Sequence, residues 1–296
     1  HRLVKEGKIK RDKNESFIFK RDGSWFETIN GKDERCIDDE IPFDIPDNWI
    51  WIRLSSISTK IGSGKTPSGG KTIYKQSGVT FIRSQNVYND GLRLENVAYI
   101  DQSIHDTMAG TALMPSDILL NITGASIGRS SIVPLNLGKA NVNQHVMIIR
   151  IPDSSIVEFI HLVIISPYFY NEIMKLQVGA TKEGLSAQKA GSMFIPIAPL
   201  KEQNLIINTV WNALEKIIQL DKLESDFLKL NDDIPIELKK SILFAAIQGK
   251  LTKQDPNDEP ASVLVERIRD EKHRLVKEGK IKRDKNESFI FKRDGS

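Results

Sequence analysis

A stretch of thirty residues without glycine or proline, 201–230, constrains the fold of this chain more than any other feature. Within it, apolar residues recur mainly at alternating spacings of four and three, the heptad pattern of helices that pack lengthwise. These positions, which we predict to pack against other helices, are Ile206, Val210, Ala213, Ile217, Leu220 and Phe227. A second apolar row, Ile207, Leu214 and Leu228, lies beside them. Two rows predict a long helix that packs on both a globular domain and a second helix.

The helical region is predicted to continue beyond this stretch, to about residue 280. Pro235 is predicted to interrupt the helix, because proline cannot continue a regular helix. A further helix over 236–248 is predicted to end at Gly249, since glycine readily adopts the left-handed conformation that ends helices. Another helical pattern begins at Pro260 and ends at Gly279.

An exact repeat joins the two ends of the printed sequence: residues 1–24 and 273–296 are identical, at an offset of 272 positions. The C-terminal copy continues the helical pattern that starts at Pro260, so the N-terminal copy begins inside the last turns of the same helix. We interpret the chain as part of a sequence with a period of 272 residues. A duplicated end is the alternative interpretation.

Residues 46–200 have a different sequence pattern from the helical spacer predicted over 201–280. Short runs rich in β-branched and aromatic residues, separated by Gly, Asn, Asp and Ser, predict strands, with one helix over about 155–176. Residues 1–45 are predicted to be the end of a helix and a charged linker, which restarts over 281–296. The predicted fold class is α+β: a mostly-β domain with a few helices, followed by long helices of coiled-coil type.

Composition excludes several classes of protein. The one cysteine, Cys36, excludes an internal disulfide framework and a multi-cysteine zinc site, and it fits a reducing cytosol. The apolar runs are far shorter than the roughly 18 residues of a membrane span, and no signal-peptide pattern follows His1, so we expect a cytoplasmic protein. The net charge of +3 does not indicate nucleic-acid binding. The repeated segment carries eight basic and four acidic residues, so counting it once lowers the net charge to −1.

One segment resembles a phosphate-binding loop. Gly64-Lys65-Thr66 matches the end of that motif, but Thr59 occupies the position of its first glycine. Pro67 also disfavours the helix whose N-terminus would bind the anion. An ATPase is therefore a minor alternative.

Other candidate catalytic patterns have simpler explanations. Asp153 and Glu158 resemble a nuclease carboxylate pair, but Asp153 is better explained as a helix cap. The three histidines His105, His145 and His161 lack metal-ligand spacing, so we expect structural or hydrogen-bonding roles for them. We predict no catalytic residue, no metal and no cofactor in this chain.

Several loops carry side chains suited to nucleic acid. Arginine can pair with guanine, and glutamine or asparagine with adenine, whereas Ser, Thr and Lys suit phosphate oxygens. The same residues are ordinary in turns, which is the simpler interpretation. The candidates for base or phosphate contacts are Arg83, Gln85, Asn86, Thr123, Arg129, Asn143, Gln144 and His145, and the likelier phosphate contacts are Ser63, Lys65, Thr66 and Lys182.

The chain resembles the specificity subunit of type I restriction–modification systems. The resemblance is carried by four segments: IPDNWIWIRL (45–54), SDILLNITGASIGRS (116–130), NVNQH (141–145) and Gly184-Leu-Ser with IPIAPLKEQ (195–203). The last of these is the most specific, because it precedes the heptad helix as it does in the family. Ala198 stands where the family often has a second consecutive proline.

This resemblance implies a DNA target-recognition domain over 46–200 and a conserved helical spacer over 201–280. Members of the family read a split site in double-stranded DNA with two such domains, and their spacer helices pack antiparallel. Methyltransferase and restriction–translocase subunits dock on the specificity subunit, which is not itself the catalyst. S-adenosylmethionine and ATP with Mg²⁺ are therefore expected on the partner subunits, and a second recognition domain or half-subunit is expected beside this one. The main alternative is a free-standing DNA-binding regulator, which would bind its site without a methyltransferase.

Overall fold

A computed structural model of the protein describes residues 15–176, 184–283, 288 and 290. The chain divides into two compact units, His1–Ile217 and Ile218–Ser296, and each is described by itself. The predicted helix end and linker over 1–14 lie outside the described residues.

Short strands dominate the first unit, and two long helices follow, so the predicted α+β class is confirmed. The strands are β1 (Ser16–Arg21), β2 (Ser24–Ile29), β3 (Lys32–Cys36), β4 (Ile50–Arg53), β5 (Lys60–Ser63), β6 (Val79–Ile82), β7 (Val87–Tyr88), β8 (Gly91–Leu92), β9 (Ala98–Ile100), β10 (Ile118–Asn121), β11 (Ser130–Ile132), β12 (Ala140–Val142), β13 (Val146–Arg150) and β14 (Phe194–Ile197). The helices are α1 (Leu54–Ile57), α2 (Gln102–Thr107), α3 (Val157–Ile164), α4 (Pro167–Leu176), α5 (Ala187–Gly191), α6 (Leu200–Ile247) and α7 (Ala261–Lys277).

A four-stranded antiparallel sheet with the order β11-β10-β13-β5 forms the centre of the first unit. Ile118 and Leu120 of β10 pack on one side, in the same apolar cluster as residues of α3 and α4. Leu119 packs on the other side, with residues of β6 and β12 from the neighbouring sheet β12-β6-β9. Since both faces are covered, β10 and β13 have nearly continuous apolar sequences rather than alternating ones.

Residues 16–36 form a three-stranded antiparallel sheet, β1-β2-β3, and the predicted charged linker is wrong over this range. Its two turns are Asp22-Gly23 and Asn30-Gly31, and all four residues have positive φ, between 53° and 87°. Both pairs are the sequences that favour tight two-residue hairpins. The hairpin signal was present, but the many charges between the strands obscured it.

Four charged side chains, here called the ion cluster, connect this sheet to strand β4. They are Glu27, Arg35, Glu40 and Arg53. Glu27 is 2% exposed and accepts from Arg53 at 2.9 Å and from Arg35 at 2.5 Å. Burial alone would raise the pKa of Glu27, but hydrogen bonds from Arg53, Ser16 and Arg35 outweigh burial and lower the pKa to about 2. The ion cluster is thus a stable, fully paired structural element at neutral pH.

The helix predicted over 155–176 is two helices, α3 and α4, bent by 67° at Ile165-Ser166. The reason is Pro167, because the residue before a proline avoids helical geometry while proline itself fits the first turn. The hydroxyl of Ser166 then accepts the Phe169 N–H at 3.3 Å and helps begin the new helix. Among the described residues no helix by itself is long and apolar enough to cross a membrane, and this bent pair meets that test by length and composition only.

Helix α6 begins at Leu200, where a helix was predicted, and its first turns pack into the core of the first unit. Ile207 is buried, and Ile206 and Trp211 contact the same apolar cluster as α3 and α4. Two indole hydrogen bonds fasten this part: Trp49 Nε1 donates to Glu202 at 3.0 Å, and Trp211 Nε1 donates to Glu158 at 2.9 Å.

Ile206 is the first residue of the predicted heptad row and packs against the core of the first unit. Ile206 and Val210 are half-buried, whereas Ala213, Ile217, Leu220 and Phe227 are exposed. Packing of the exposed part against a second helix stays a prediction.

The break predicted at Pro235 is wrong, because α6 continues through it to Ile247. Proline removes one N–H donor. The surrounding residues are all exposed, so water can satisfy the carbonyl that loses its partner. The predicted ends are close to those observed: Gly249 and Gly279 have φ of 67° and 71°, just after α6 and α7.

Candidate nucleic-acid interface

The sequence-predicted loops meet at one edge of the central sheets. Strands β6 and β12 run parallel with Ile82 opposite Val142, so the residues that follow them emerge at the same edge. Asn143 N–H donates to Ile82 O at 3.0 Å across this point. The loop after β10 joins them, because the side chain of Asn121 donates to Ser84 O at 2.8 Å.

A chain of polar side chains links three of these loops. The hydroxyl of Thr66, shortly after β5, donates to the side-chain oxygen of Gln144, and the side-chain nitrogen of Gln144 lies 3.0 Å from His145 Nε2. His145 Nδ1 in turn lies 2.7 Å from the Thr123 hydroxyl. Both ring nitrogens of His145 are occupied in this chain, whereas the Gln144 amide and the two threonine hydroxyls keep unused hydrogen-bonding capacity.

A groove of about 470 Å³ opens among the loops, and we call it the loop groove. It is lined by Ser84, Gln85, Tyr88, Thr123, Gly124, Ala125, Ser126, Arg129 and His145. Four residues predicted from the sequence therefore come together here: Gln85, Thr123, Arg129 and His145.

The arginines of the first unit divide into two groups by their partners. Five of the seven in 15–217 pair with a carboxylate: Arg21, Arg35, Arg53, Arg93 and Arg150. Arg83 and Arg129 have no carboxylate partner in the part of the chain that the structure describes. Instead their guanidinium carbons lie over tyrosine rings, Arg83 at 5.5 Å from the Tyr74 centroid and Arg129 at 4.6 Å from that of Tyr88. These two arginines are the ones that sequence analysis selected, and they remain available to an anionic ligand.

Two predicted contacts, Asn86 and Asn143, are buried and serve the fold instead. The side-chain oxygen of Asn86 accepts the Arg83 N–H at 3.0 Å, and its amide donates to Arg93 O at 2.9 Å. The side-chain oxygen of Asn143 accepts the His145 N–H at 3.3 Å. Both side chains shape the loops that present their neighbours, so we correct their assignment from DNA contact to loop support.

The predicted phosphate contacts Ser63, Lys65 and Thr66 are exposed at the end of β5, and only Thr66 is connected to the loop groove, through Gln144. Lys182 lies outside the described residues. Tyr88, Ser84 and Ser126 line the groove although sequence analysis missed them. A tyrosine in a short strand is more often interpreted as core, and only the turn signal Asn89-Asp90-Gly91 after Tyr88 marks the hairpin that exposes it.

The phosphate-binding-loop geometry is absent from 60–66. Residues 60–63 form β5, and the N–H groups of Gly64 and Lys65 that follow donate to Val146 O and Val142 O, so these N–H groups are not free to bind phosphate. A side chain at position 64 would also meet Val142 O at 2.2 Å, which explains the glycine as a packing requirement.

The other candidate catalytic residues have the structural roles predicted for them. Asp153 accepts the Ser155 N–H at 3.0 Å as a helix cap, and hydrogen bonds from the Ser155 hydroxyl and from this N–H lower the pKa of Asp153. His105 hydrogen-bonds Asn141, and burial lowers the pKa of His161. Within the described ranges, no group of three or more His, Cys, Asp or Glu residues is arranged to hold a metal ion.

Comparison with known proteins supplies a family for this chain. The family model "Type I restriction modification DNA specificity domain" matches residues 46–239. The chain is 28% identical over 331 residues to the type I restriction enzyme EcoEI specificity subunit of Escherichia coli, covering 96% of this chain and 50% of that protein. It is 65% identical over 48 residues to the EcoAI specificity subunit of Escherichia coli, covering 16% of this chain and 8% of that protein.

The HsdS subunit from Thermoanaerobacter tengcongensis is a solved structure that aligns with a TM-score of 0.49 at 19% identity, over 71% of this chain and 47% of that one. The chain thus spans about half the length of the EcoEI subunit that it matches along most of its own length.

Proposed function

Because the chain belongs to the type I restriction modification DNA specificity domain family, we propose that it recognises one half of a split site in double-stranded DNA and is not itself a catalyst. The loop groove and the loops around it are the surface that meets the DNA. The predicted residues that remain exposed or half-buried there, Arg83, Gln85, Thr123, Arg129, Gln144 and His145, make the base and phosphate contacts.

The observation that carries this proposal is the pairing of the arginines. An arginine with a carboxylate partner is already neutralised, so a strong new contact to DNA would require breaking the pair. Arg83 and Arg129 have only tyrosine rings beside them, and both lie at the loop edge near the exposed amide of Gln85. Arginine and glutamine are the side chains that read guanine and adenine in the major groove. Because counting the repeat once gives a charge of −1, such local cations must supply the attraction.

The rest of the proposed complex follows from the family. Methyltransferase subunits dock on this chain, restriction–translocase subunits join them, and S-adenosylmethionine and ATP with Mg²⁺ act on those partners. The exposed apolar residues of α6, such as Leu220 and Phe227, supply surface for antiparallel packing with a second spacer helix.

Genomic methylation tests the proposal directly. Methylated positions are mapped in cells with the intact gene, without it, and with Arg129→Ala. We expect a split motif that disappears without the gene and relaxes at one position in the variant, with a loss of roughly 1–3 kcal/mol of discrimination there. Arg93→Ala is the matched control, because Arg93 is already paired with Asp90.

Two outcomes would count against the proposal. A methylation pattern that is identical with and without the gene would exclude a role in methylation specificity. Sequence-specific binding by a protein that never co-purifies with a methyltransferase would favour the free-standing regulator instead.

A further inference from the structure

Tyr88 contacts two arginines at the wall of the loop groove. The guanidinium carbon of Arg129 lies 4.6 Å from the centroid of the ring, and that of Arg93 lies 5.1 Å away. Both distances fall within the range of about 6 Å over which a cation is attracted to an aromatic ring. Arg93 also donates to Asp90 at 2.5 Å, whereas the ring is the contact that holds the charged group of Arg129.

The backbone around these side chains holds the ring and the cation in place. The side chain of Asn89, next to Tyr88, accepts the N–H of Ser130, next to Arg129, at 3.0 Å. The backbone of Arg129 is also held in place, because its carbonyl accepts the Asn121 N–H at 2.8 Å. The short hairpin of β7 and β8 and the start of β11 therefore form one frame around the contact.

We propose that Tyr88 is a positioning residue that orients Arg129 for reading a guanine, an inference that rests on the proposed function. A guanidinium over a ring keeps the edge that carries its N–H groups free, and that edge forms the two bonds to guanine O6 and N7. A side chain held in this way loses less conformational freedom when DNA binds. Tyr88 thus sharpens the preference at one base pair without contacting that pair.

The ring, rather than the hydroxyl, carries this role. Across the described part of the chain the Tyr88 hydroxyl has no hydrogen-bond partner, so phenylalanine supplies everything that Arg129 uses. The same arrangement recurs where Arg83 lies over Tyr74.

The test selects bound duplexes from a randomised library with the full chain and determines the preference at each position. The proteins compared are the wild type, Tyr88→Phe, Tyr88→Leu, Arg129→Ala and Arg93→Ala. We expect Tyr88→Phe and Arg93→Ala to keep the wild-type preference. Tyr88→Leu is expected to lower it by roughly two- to fivefold at the position that Arg129→Ala relaxes, and at no other. Thermal unfolding checks that each variant is folded, and Tyr88→Thr replaces Tyr88→Leu if that variant unfolds.

Several results would overturn the inference. Full preference at that position in Tyr88→Leu, an equal loss at every position, or failure of Tyr88→Phe to keep the preference would each exclude the positioning role. An unaltered preference in Arg129→Ala would remove the residue that Tyr88 is proposed to orient. A wild-type protein with no preference at all would instead overturn the proposed function, and this inference with it.

Discussion

Arg53 and Arg129 lie in the same unit, but their guanidinium groups have different partners. Arg53 belongs to the ion cluster, where it donates to Glu27 and Glu40, and it also lies 3.8 Å from the Phe194 ring centroid. Arg129 lies at the loop groove and rests on Tyr88 without a carboxylate. The paired, half-buried Arg53 connects parts of the fold, whereas the exposed Arg129 has a ring contact and no carboxylate partner among the described residues. The difference separates arginines that support the fold from the one that we propose contacts DNA.

Removing the buried carboxylate of the ion cluster should give the largest effect. Glu27→Ala is expected to lower the free energy of unfolding by about 3 kcal/mol, the lower end for breaking a buried ion pair, because Glu40 still accepts from Arg53 and Arg35. Urea unfolding measures this change.

The matched control for that variant is Glu34→Ala, which removes the half-exposed pair with Arg21 on the same sheet. It should cost less than about 1 kcal/mol. Equal costs for the two variants would contradict the distinction between buried and exposed pairs, and neither variant should change the DNA preference of the folded protein.

Acid should weaken the ion cluster selectively. The folded-state pKa of Glu27 is about 2, below the 4.5 of the free side chain. The stabilisation from Glu27 is therefore fully present above about pH 4.5 and is lost as the pH falls towards 2, by about 3 kcal/mol. Unfolding of the wild type and Glu27→Gln across this range measures it, and the variant should lack this part of the pH dependence. Parallel curves for the two proteins would show that Glu27 does not titrate as described.

The adjacent residues Asn86 and Gln85 should give the smallest changes in stability. Asn86→Ala removes two hydrogen bonds of a buried side chain and should destabilise the fold by roughly 1–3 kcal/mol. Gln85→Ala alters an exposed side chain of the loop groove, so stability should change by less than about 0.5 kcal/mol, while the preference at one base pair falls. Thermal unfolding and library selection measured on both variants separate the roles. A loss of stability in Gln85→Ala with intact recognition would reverse the assignment.

Local patterns predicted much of this molecule because they depend on neighbours in sequence. The start of α6, the stops at Gly249 and Gly279 and the cap at Asp153 all rest on residues within one or two helical turns. The errors arose where two local signals competed. Charges over 16–36 outweighed the turn signals at Asp22-Gly23 and Asn30-Gly31, and helix-forming residues on both sides outweighed Pro235.

The candidate site shows the limit of such reasoning. Residue type selected Arg83, Gln85 and Arg129, which are exposed or half-buried, and by the same criterion it selected Asn86 and Asn143, which are buried. The buried side chain of Asn86 donates a hydrogen bond to Arg93 O. The buried Asn143 lies beside Ile82, whose carbonyl accepts the Asn143 N–H. Neither contact follows from the residues next to it in sequence.

By itself, the sequence predicted the order of the parts, a strand-rich domain followed by long helices, and it showed the exact repeat of residues 1–24 at an offset of 272 positions. It also determined which side chains could read DNA, because donors and acceptors are properties of the residue type. Only the tertiary structure decided which of these side chains are exposed and which are buried. Arg129 meets Tyr88 across 41 positions of sequence, and Arg53 meets Glu27 across 26, because the folding of the sheets sets those distances. Burial and pairing are long-range properties, so the division between arginines with and without a carboxylate partner appears only in the folded chain.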